Sequence, residues 1–329
     1  MPMTAAVHTE VLEVLRSMVD GGRVPHAILF HQNDGGGAYP LILDFLEYLY
    51  GGNPRVKKLI HPDIHYVFPV AGPDKPVSGD FIKEWRELLL SNPWFLESEL
   101  YTAIGIEGKQ SAISVWEARK ILEKLSLSAV EGGYRTVVVY LPEKMNLQSA
   151  NSLLKMIEEP PEKTLFLLVT HAPEKVLTTI FSRCIFMRLR PLPREEFIRL
   201  HPAMGESEAQ YATLFHDLME AALAGDLLSA LETAEALASL GSREKQKAFC
   251  RYGADALRSV FLLQQGLQEL SDMREEEKEY FATLAAKCRK TFPRYAIGQL
   301  DRAVTLLERN VAQKILFSDL ACRLVSAKR

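Results

Sequence analysis

The run 32–39, QNDGGGAY, is the first place where residue types and spacing point to chemistry. A phosphate-binding loop of the form G-x-x-x-x-G-K-[ST] cradles phosphates with backbone amides, reaches the terminal ones with its lysine and holds magnesium with its hydroxyl. Gly35 and Gly37 keep the flexible turn, but Gln32 stands at the first glycine, Ala38 at the lysine and Tyr39 at the hydroxyl residue. The loop therefore reads as degenerate, and no bound nucleotide cofactor is expected. A backbone nest ahead of a helix starting near Pro40 would attract an anion only weakly. His61, Asp63 and His65 have the chemistry of metal ligands. Pro62, however, breaks the helix that would bring the two histidines to one face, while Ile64, Tyr66 and Phe68 alternate as a strand, so no metal is expected. Cys184, Cys250, Cys288 and Cys322 are far apart with no Cys-x-x-Cys pair, and read as buried or inert thiols in a reducing compartment.

Short apolar runs and helical stripes must position these groups. Ala27 to Phe30 predicts a strand leading into the glycine loop, and Ile42, Phe45, Leu46 and Leu49 give the helix after it one apolar face. Val137 to Val139 and Leu165 to Val169 read as strands buried on both faces. Between them Ala150, Leu153, Leu154 and Ile157 form a stripe ended by Pro160 and Pro161, which closes a right-handed strand, helix, strand unit. A further helix is expected from Pro173, with Val176, Leu177 and Ile180 inward, running out into Ser182, Arg183 and Cys184. Val11, Leu12, Leu15 and Met18 predict a helix near the start; Val115, Ala118, Leu122 and Leu125 predict another. The helix of Phe81, Trp85, Leu88 and Leu89 reads as core rather than as a base-stacking platform, and 70–79 reads as a loop.

The order ANSLLKMIEEPPEKTLFLLVT, a short helix and then SRC, together with the PHAILF stretch, resembles the clamp-loader subunits of bacterial DNA polymerase III, a branch of the AAA+ proteins. The resemblance implies an α/β, P-loop NTPase-like parallel-sheet domain followed by an all-α collar domain. It also implies that Arg183, supported by Ser182 and Cys184, is an arginine finger offered in trans to ATP on a neighbouring subunit. A permanently charged, planar guanidinium suits that task. In active relatives the strand at 136–140 ends in Asp-Glu; here Tyr140 and Leu141 stand there, and neither can bind a hard cation. Glu143 nearby reads as a solvated acid, and Thr170 as a sensor position reduced to strand-end hydrogen bonding. Many relatives carry a four-cysteine zinc module where 51–60 reads GGNPRVKKLI, so no zinc is expected.

With both the phosphate lysine and the acids missing, the expected role is a noncatalytic subunit that supports sliding-clamp loading. Its implied partners are clamp-loader ATPase and delta subunits, with the sliding clamp and primer-template DNA reached through the complex. The alternatives are a divergent AAA+ ATPase that binds nucleotide itself and a pure assembly scaffold. The 329 residues, 47% apolar and 25% charged, are ordinary for a globular chain of two or three domains. A formal charge of -3 argues against binding nucleic acid through bulk electrostatics. No signal peptide or membrane span is expected, which points to the cytoplasm. Residues 1–190 are expected to form the α/β domain, 191–210 a linker or reduced lid, and 211–329 a helical oligomerisation domain. The run REEEK at 274–278 reads as a solvated helical face.

Overall fold

The apolar runs become the centre of a five-stranded parallel sheet in the computed structural model, which describes residues 7–271, 273, 275–309 and 311–327. The strands are β1 (Ala27–His31), β2 (Ile64–Val67), β3 (Arg135–Tyr140), β4 (Thr164–Thr170) and β5 (Ile185–Arg188), in the spatial order β2-β3-β4-β1-β5. Ala27 lies opposite Phe166, Ile28 opposite Ile185, and Ile64 opposite Thr136. Parallel neighbours need crossover connections, which cover both faces of the sheet. This is why β3 and β4 are apolar along nearly their whole length.

Alternation along each strand sorts its side chains between two cores. Ile28, Phe30, Val138, Tyr140 and Leu167 face α1 (Thr9–Asp20), α2 (Ala38–Leu49) and α4 (Ile82–Ser91), among Leu15, Phe45 and the fully buried Trp85. Leu29, Val137, Val139, Phe166 and Leu168 face α6 (Val115–Ser126) and α7 (Leu147–Glu158), among Ala118, Ile121, Leu125, Leu153 and Ile157. Burying one such leucine or isoleucine stabilises the fold by about 1.5–3 kcal/mol. On α6 it is Ile121, not Leu122, that turns fully inward. The short helices α3 (Pro54–Lys57) and α5 (Glu97–Ala103) complete this side of the chain. The helix expected from Pro173 is divided into a 3-10 turn, Pro173–Lys175, and the four-residue α8 (Thr178–Phe181), after which the chain enters β5.

The chain divides into two units, Met1–Pro193 and Arg194–Arg329. The second is all helical: α9 (Arg194–Leu200), α10 (Pro202–Ala224), α11 (Leu227–Ala238), α12 (Arg243–Gln264), α13 (Glu275–Lys287), α14 (Phe292–Glu308) and α15 (Gln313–Ser326). Phe215, Phe249, Leu257, Leu300 and Phe317 form its core. Gly253 lets α12 and α14 approach closely, because a Cβ there would sit 3.1 Å from Leu300 Cδ1 and 3.3 Å from Phe215 Cδ2. Residues 191–210, read from sequence as a linker or reduced lid, contain α9 and the start of α10. The prolines that looked like breaks include Pro202, which sits in the first turn of α10, where its missing N–H leaves no bond unmade.

The run 274–278 also differs from expectation. Arg274 lies outside the described residues, but Glu277 is buried and accepts a hydrogen bond from the Tyr252 hydroxyl at 2.6 Å. Of the cysteines, Cys250 and Cys288 are buried, Cys184 is half-buried and Cys322 is exposed. Burial pushes the Cys184 thiol up to about 11, which keeps it protonated and unreactive. Among the described residues no helix is long and apolar enough to cross a membrane.

Candidate functional site

The glycine loop follows β1 and ends at Gly37, whose φ of 87° caps the start of α2. A side chain at that position would be strained, and its Cβ would run into the Trp94 ring. The helix therefore opens at Ala38, two residues earlier than the sequence reading. A phosphate would need the free amides of this turn, and the chain itself takes two of them. Gln32, buried beneath the loop, accepts the Ala38 N–H on its Oε1 at 2.7 Å. Gly36 N–H donates to Asn33 O at 2.9 Å, and His8 Nε2 donates to the Gly36 carbonyl at 2.8 Å. Burial lowers the His8 pKa, against the pull of that hydrogen bond, so the ring clasps the loop in its neutral form.

Aromatic rings occupy the space beside the loop. Tyr39 is buried, with its ring centroid 5.2 Å from Phe95, 5.5 Å from Tyr140 and 5.7 Å from Trp85. Tyr140 also packs 5.4 Å from Phe95 and 5.5 Å from His171. Tyr39 and Tyr140 are thus partners in one hydrophobic core. Leu141 is fully buried with a left-handed φ of 58°. Its amide donates to Val169 O at 2.8 Å, which holds the strained turn at the end of β3.

A charged network that sequence reasoning missed lies next to these rings. His171 Nδ1 is 3.7 Å from Glu97 and its Nε2 is 3.8 Å from Asp34. Lys144 Nζ lies 3.2 Å from Glu97, and the Tyr101 hydroxyl donates to Glu97 at 2.6 Å. Asp34 accepts the Glu97 N–H at 2.9 Å and so caps the first turn of α5. Burial alone would raise the Glu97 carboxyl, but the His171 hydrogen bond, the Lys144 charge and the Tyr101 hydroxyl outweigh it and hold it at about 2. Burial likewise lowers His171, yet Glu97, Asp34 and Glu143 bring it above the ordinary histidine value. Glu143 is not the solvated acid expected: it accepts Thr170 Oγ1 at 2.8 Å and the His171 N–H at 2.9 Å. Thr170 thereby fastens the end of β4. Asp34, Glu97 and Glu143 would all repel a phosphate chain.

Arg183 lies elsewhere. The loop leaves the C-terminal end of β1, whereas Arg183 enters the N-terminal end of the parallel neighbour β5. The two are at opposite ends of the sheet. Arg183 Nη1 donates to Thr179 O at 2.9 Å, and its Nη2 pairs with Glu158 at the end of α7 at 2.7 Å. Its side chain remains 37% exposed. Ser182 is exposed beside it, and Cys184 turns partly inward. Ile185 and Phe186 follow with exposures of 43% and 41%, giving the arginine an apolar flank on the edge strand.

His61, Asp63 and His65 do not converge on one point. Asp63 N–H donates to His61 Nδ1 at 3.2 Å, and His61 Nε2 faces Glu131 at 3.2 Å. The Asp63 carboxylate accepts the Val130 and Glu131 amides at 2.7 and 3.0 Å. These bonds tie β2 to the turn before β3 and leave the ring nitrogens of His61 engaged. Glu131 also receives Asn53 and Arg55, at 2.7 and 2.5 Å, so the cysteine-free stretch 51–60 is anchored through polar side chains.

A family model described as "DNA polymerase III, delta subunit" matches residues 7–193. The chain is 45% identical over 85 residues to DNA polymerase III subunit delta' of Yersinia pestis, a match covering 25% of this chain and 24% of that one. It is 24% identical over 194 residues to subunit delta' of Bacillus subtilis, covering 55% and 47%. The alignments with these curated relatives span between about a quarter and a half of their length. A solved DNA polymerase III gamma subunit-related protein from Thermotoga maritima aligns over 97% of this chain and 99% of its own, at 18% identity and a TM-score of 0.38.

Proposed function

The chain belongs to the DNA polymerase III delta-subunit family, and we propose that it works as a noncatalytic, delta-prime-type clamp-loader subunit that offers Arg183 in trans to ATP held by a neighbouring ATPase subunit. The observation that carries this reading is the separation of Arg183 from its own loop, which Gln32, Tyr39 and Tyr140 fill. An arginine at that end of the sheet serves a phosphate chain only if another subunit brings it. There the fixed charge would stabilise the transferring phosphoryl group, an effect of about 10³–10⁵ in turnover for arginine fingers.

The Glu158 pair is compatible with this role. An ion pair this exposed is worth about 0–1 kcal/mol, so a more highly charged triphosphate can displace it. Until then Glu158 and Thr179 hold the guanidinium in place. Unit 194–329 would supply the helical collar that joins the ATPase and delta subunits, with the sliding clamp and primer-template DNA reached through the complex in the cytoplasm. The same ion pair favours a second reading, a scaffold in which Arg183 is a surface contact without kinetic effect.

Titration of the isolated chain with magnesium-ATP tests the noncatalytic part. No saturable heat or turnover is expected. Saturable binding with hydrolysis would replace this reading with that of a divergent ATPase.

A further inference from the structure

The edge of the sheet farthest from Arg183 carries a groove that the clamp-loader role does not use. We propose that this groove, running along β2 between α4 and α6, binds an extended acidic peptide by adding it as a strand to the sheet. The cavity holds about 360 Å³ and has an apolar floor that includes Ile64, Ile82 and Ile121, with Arg86, Lys120 and Lys124 around it.

The backbone phase of β2 makes strand addition specific. Thr136 N–H donates to Asp63 O at 2.8 Å, which directs the backbone groups of Asp63, His65 and Val67 toward β3. The groups of Ile64, Tyr66 and Phe68 then point the other way. Ile64 N–H is taken by His61 O at 3.2 Å, and the Ser78 hydroxyl bonds both the N–H and the C=O of Phe68, at 3.0 and 3.1 Å. This leaves the N–H and C=O of Tyr66, with the C=O of Ile64, as the groups that the ladder aims into the groove. A strand edge of this kind recognises another extended chain through main-chain bonds, with pockets for alternate side chains.

Charge selects the chain that fits. Glu117 is the acid of this lining, and it is turned inward, accepting the amide of Ser78. Arg86 gives its Nε to Leu59 O at 3.1 Å and has no carboxylate partner among the described residues. Among the described residues Lys124 makes no close ion pair, although its charge acts on the inward Glu117, and Lys120 reaches Glu123 at 3.4 Å across exposed surface. A peptide alternating apolar and acidic residues would set its apolar side chains on the floor and its carboxylates among these bases. A nucleic acid strand would satisfy the charge but has no peptide N–H and C=O for Tyr66.

The test is fluorescence anisotropy of the full chain with a fluorescein-labelled heptapeptide alternating valine and glutamate. Saturable binding is expected, weakened about tenfold by Lys120→Gln with Lys124→Gln, two exposed positions whose change leaves the core intact. Methylating the peptide's central amide nitrogens in either register should weaken it about as much, because strand pairing needs those donors. Absence of binding, or binding indifferent to amide methylation, overturns the proposal. Full displacement by inorganic phosphate or by a single-stranded oligonucleotide overturns it too, in favour of a general anion surface.

Discussion

Tyr39 and Tyr140 pack with their ring centroids 5.5 Å apart, one just after the glycine loop and the other at the end of β3, so that rings fill the space beside the loop. Placing a lysine at position 38 alone should therefore not confer nucleotide binding. Ala38 is itself fully buried beside Tyr39, so the added lysine has no open phosphate space to enter, and a circular dichroism spectrum checks that the Ala38→Lys chain still folds. Calorimetric titration with magnesium-ATP is expected to show no saturable heat for this variant. A binding isotherm would mean that the absence of a lysine, rather than the filled space, is what keeps nucleotide out.

Tyr140 has 1% of its surface exposed, and its ring contacts reach three other side chains. Removing it should leave a cavity the neighbours cannot close. Tyr140→Ala is expected to destabilise the first unit by about 3–5 kcal/mol in urea unfolding, as for other large buried aromatics. A loss below about 1 kcal/mol would show that the site is loosely filled.

The network around His171 makes a prediction with two opposed signs. The Glu97 pKa falls from 4.5 to about 2, so its stabilisation is present above pH 4.5 and is lost as pH falls toward 2. The His171 pKa is raised from 6.5, so its contribution is complete below 6.5 and is lost as pH rises through the raised value. The stability difference between the native chain and His171→Gln should be largest between pH 4.5 and 6.5. Urea midpoints across pH check this. A difference that grows steadily to pH 9 would contradict the assigned network.

Gly253→Ala tests the helical unit. The added methyl would press on Leu300 and Phe215, and such overpacking typically costs about 1–3 kcal/mol. The thermal transition of the helical unit should fall while the protection of β3 and β4 amides from hydrogen exchange stays unchanged.

The central strands were legible because a strand buried on both faces must be apolar throughout, as 137–139 and 165–169 are. β5 was not legible: at an edge it needs no continuous apolar run, and its four residues, Ile-Phe-Met-Arg, leave Ile185 and Phe186 half out. The residue types of the loop could be set against a phosphate-loop pattern, but they gave no sign of the contacts that hold it. Nothing in the order of residues signals that Gln32 folds onto Ala38, or that His8, twenty-eight positions before Gly36, closes over the loop. Glu143 and Glu277 were misread for one reason. A lone acid looks solvated until the fold supplies a donor, here Thr170 and Tyr252 respectively. The placement of Arg183 away from its own loop follows from the pairing of β5 with β1, a long-range fact that local pattern does not contain.

Arg183 is proposed to act on the ATP of a neighbouring subunit. The decisive measurement is DNA-stimulated ATP turnover of the reconstituted complex carrying Arg183→Ala in this chain, with assembly checked by gel filtration and urea stability measured on the isolated variant. The prediction is intact assembly, a stability change within about 1 kcal/mol, and a turnover loss of about 10³-fold or more at the one adjoining ATPase site. Unchanged turnover at that site in a fully assembled complex would contradict it.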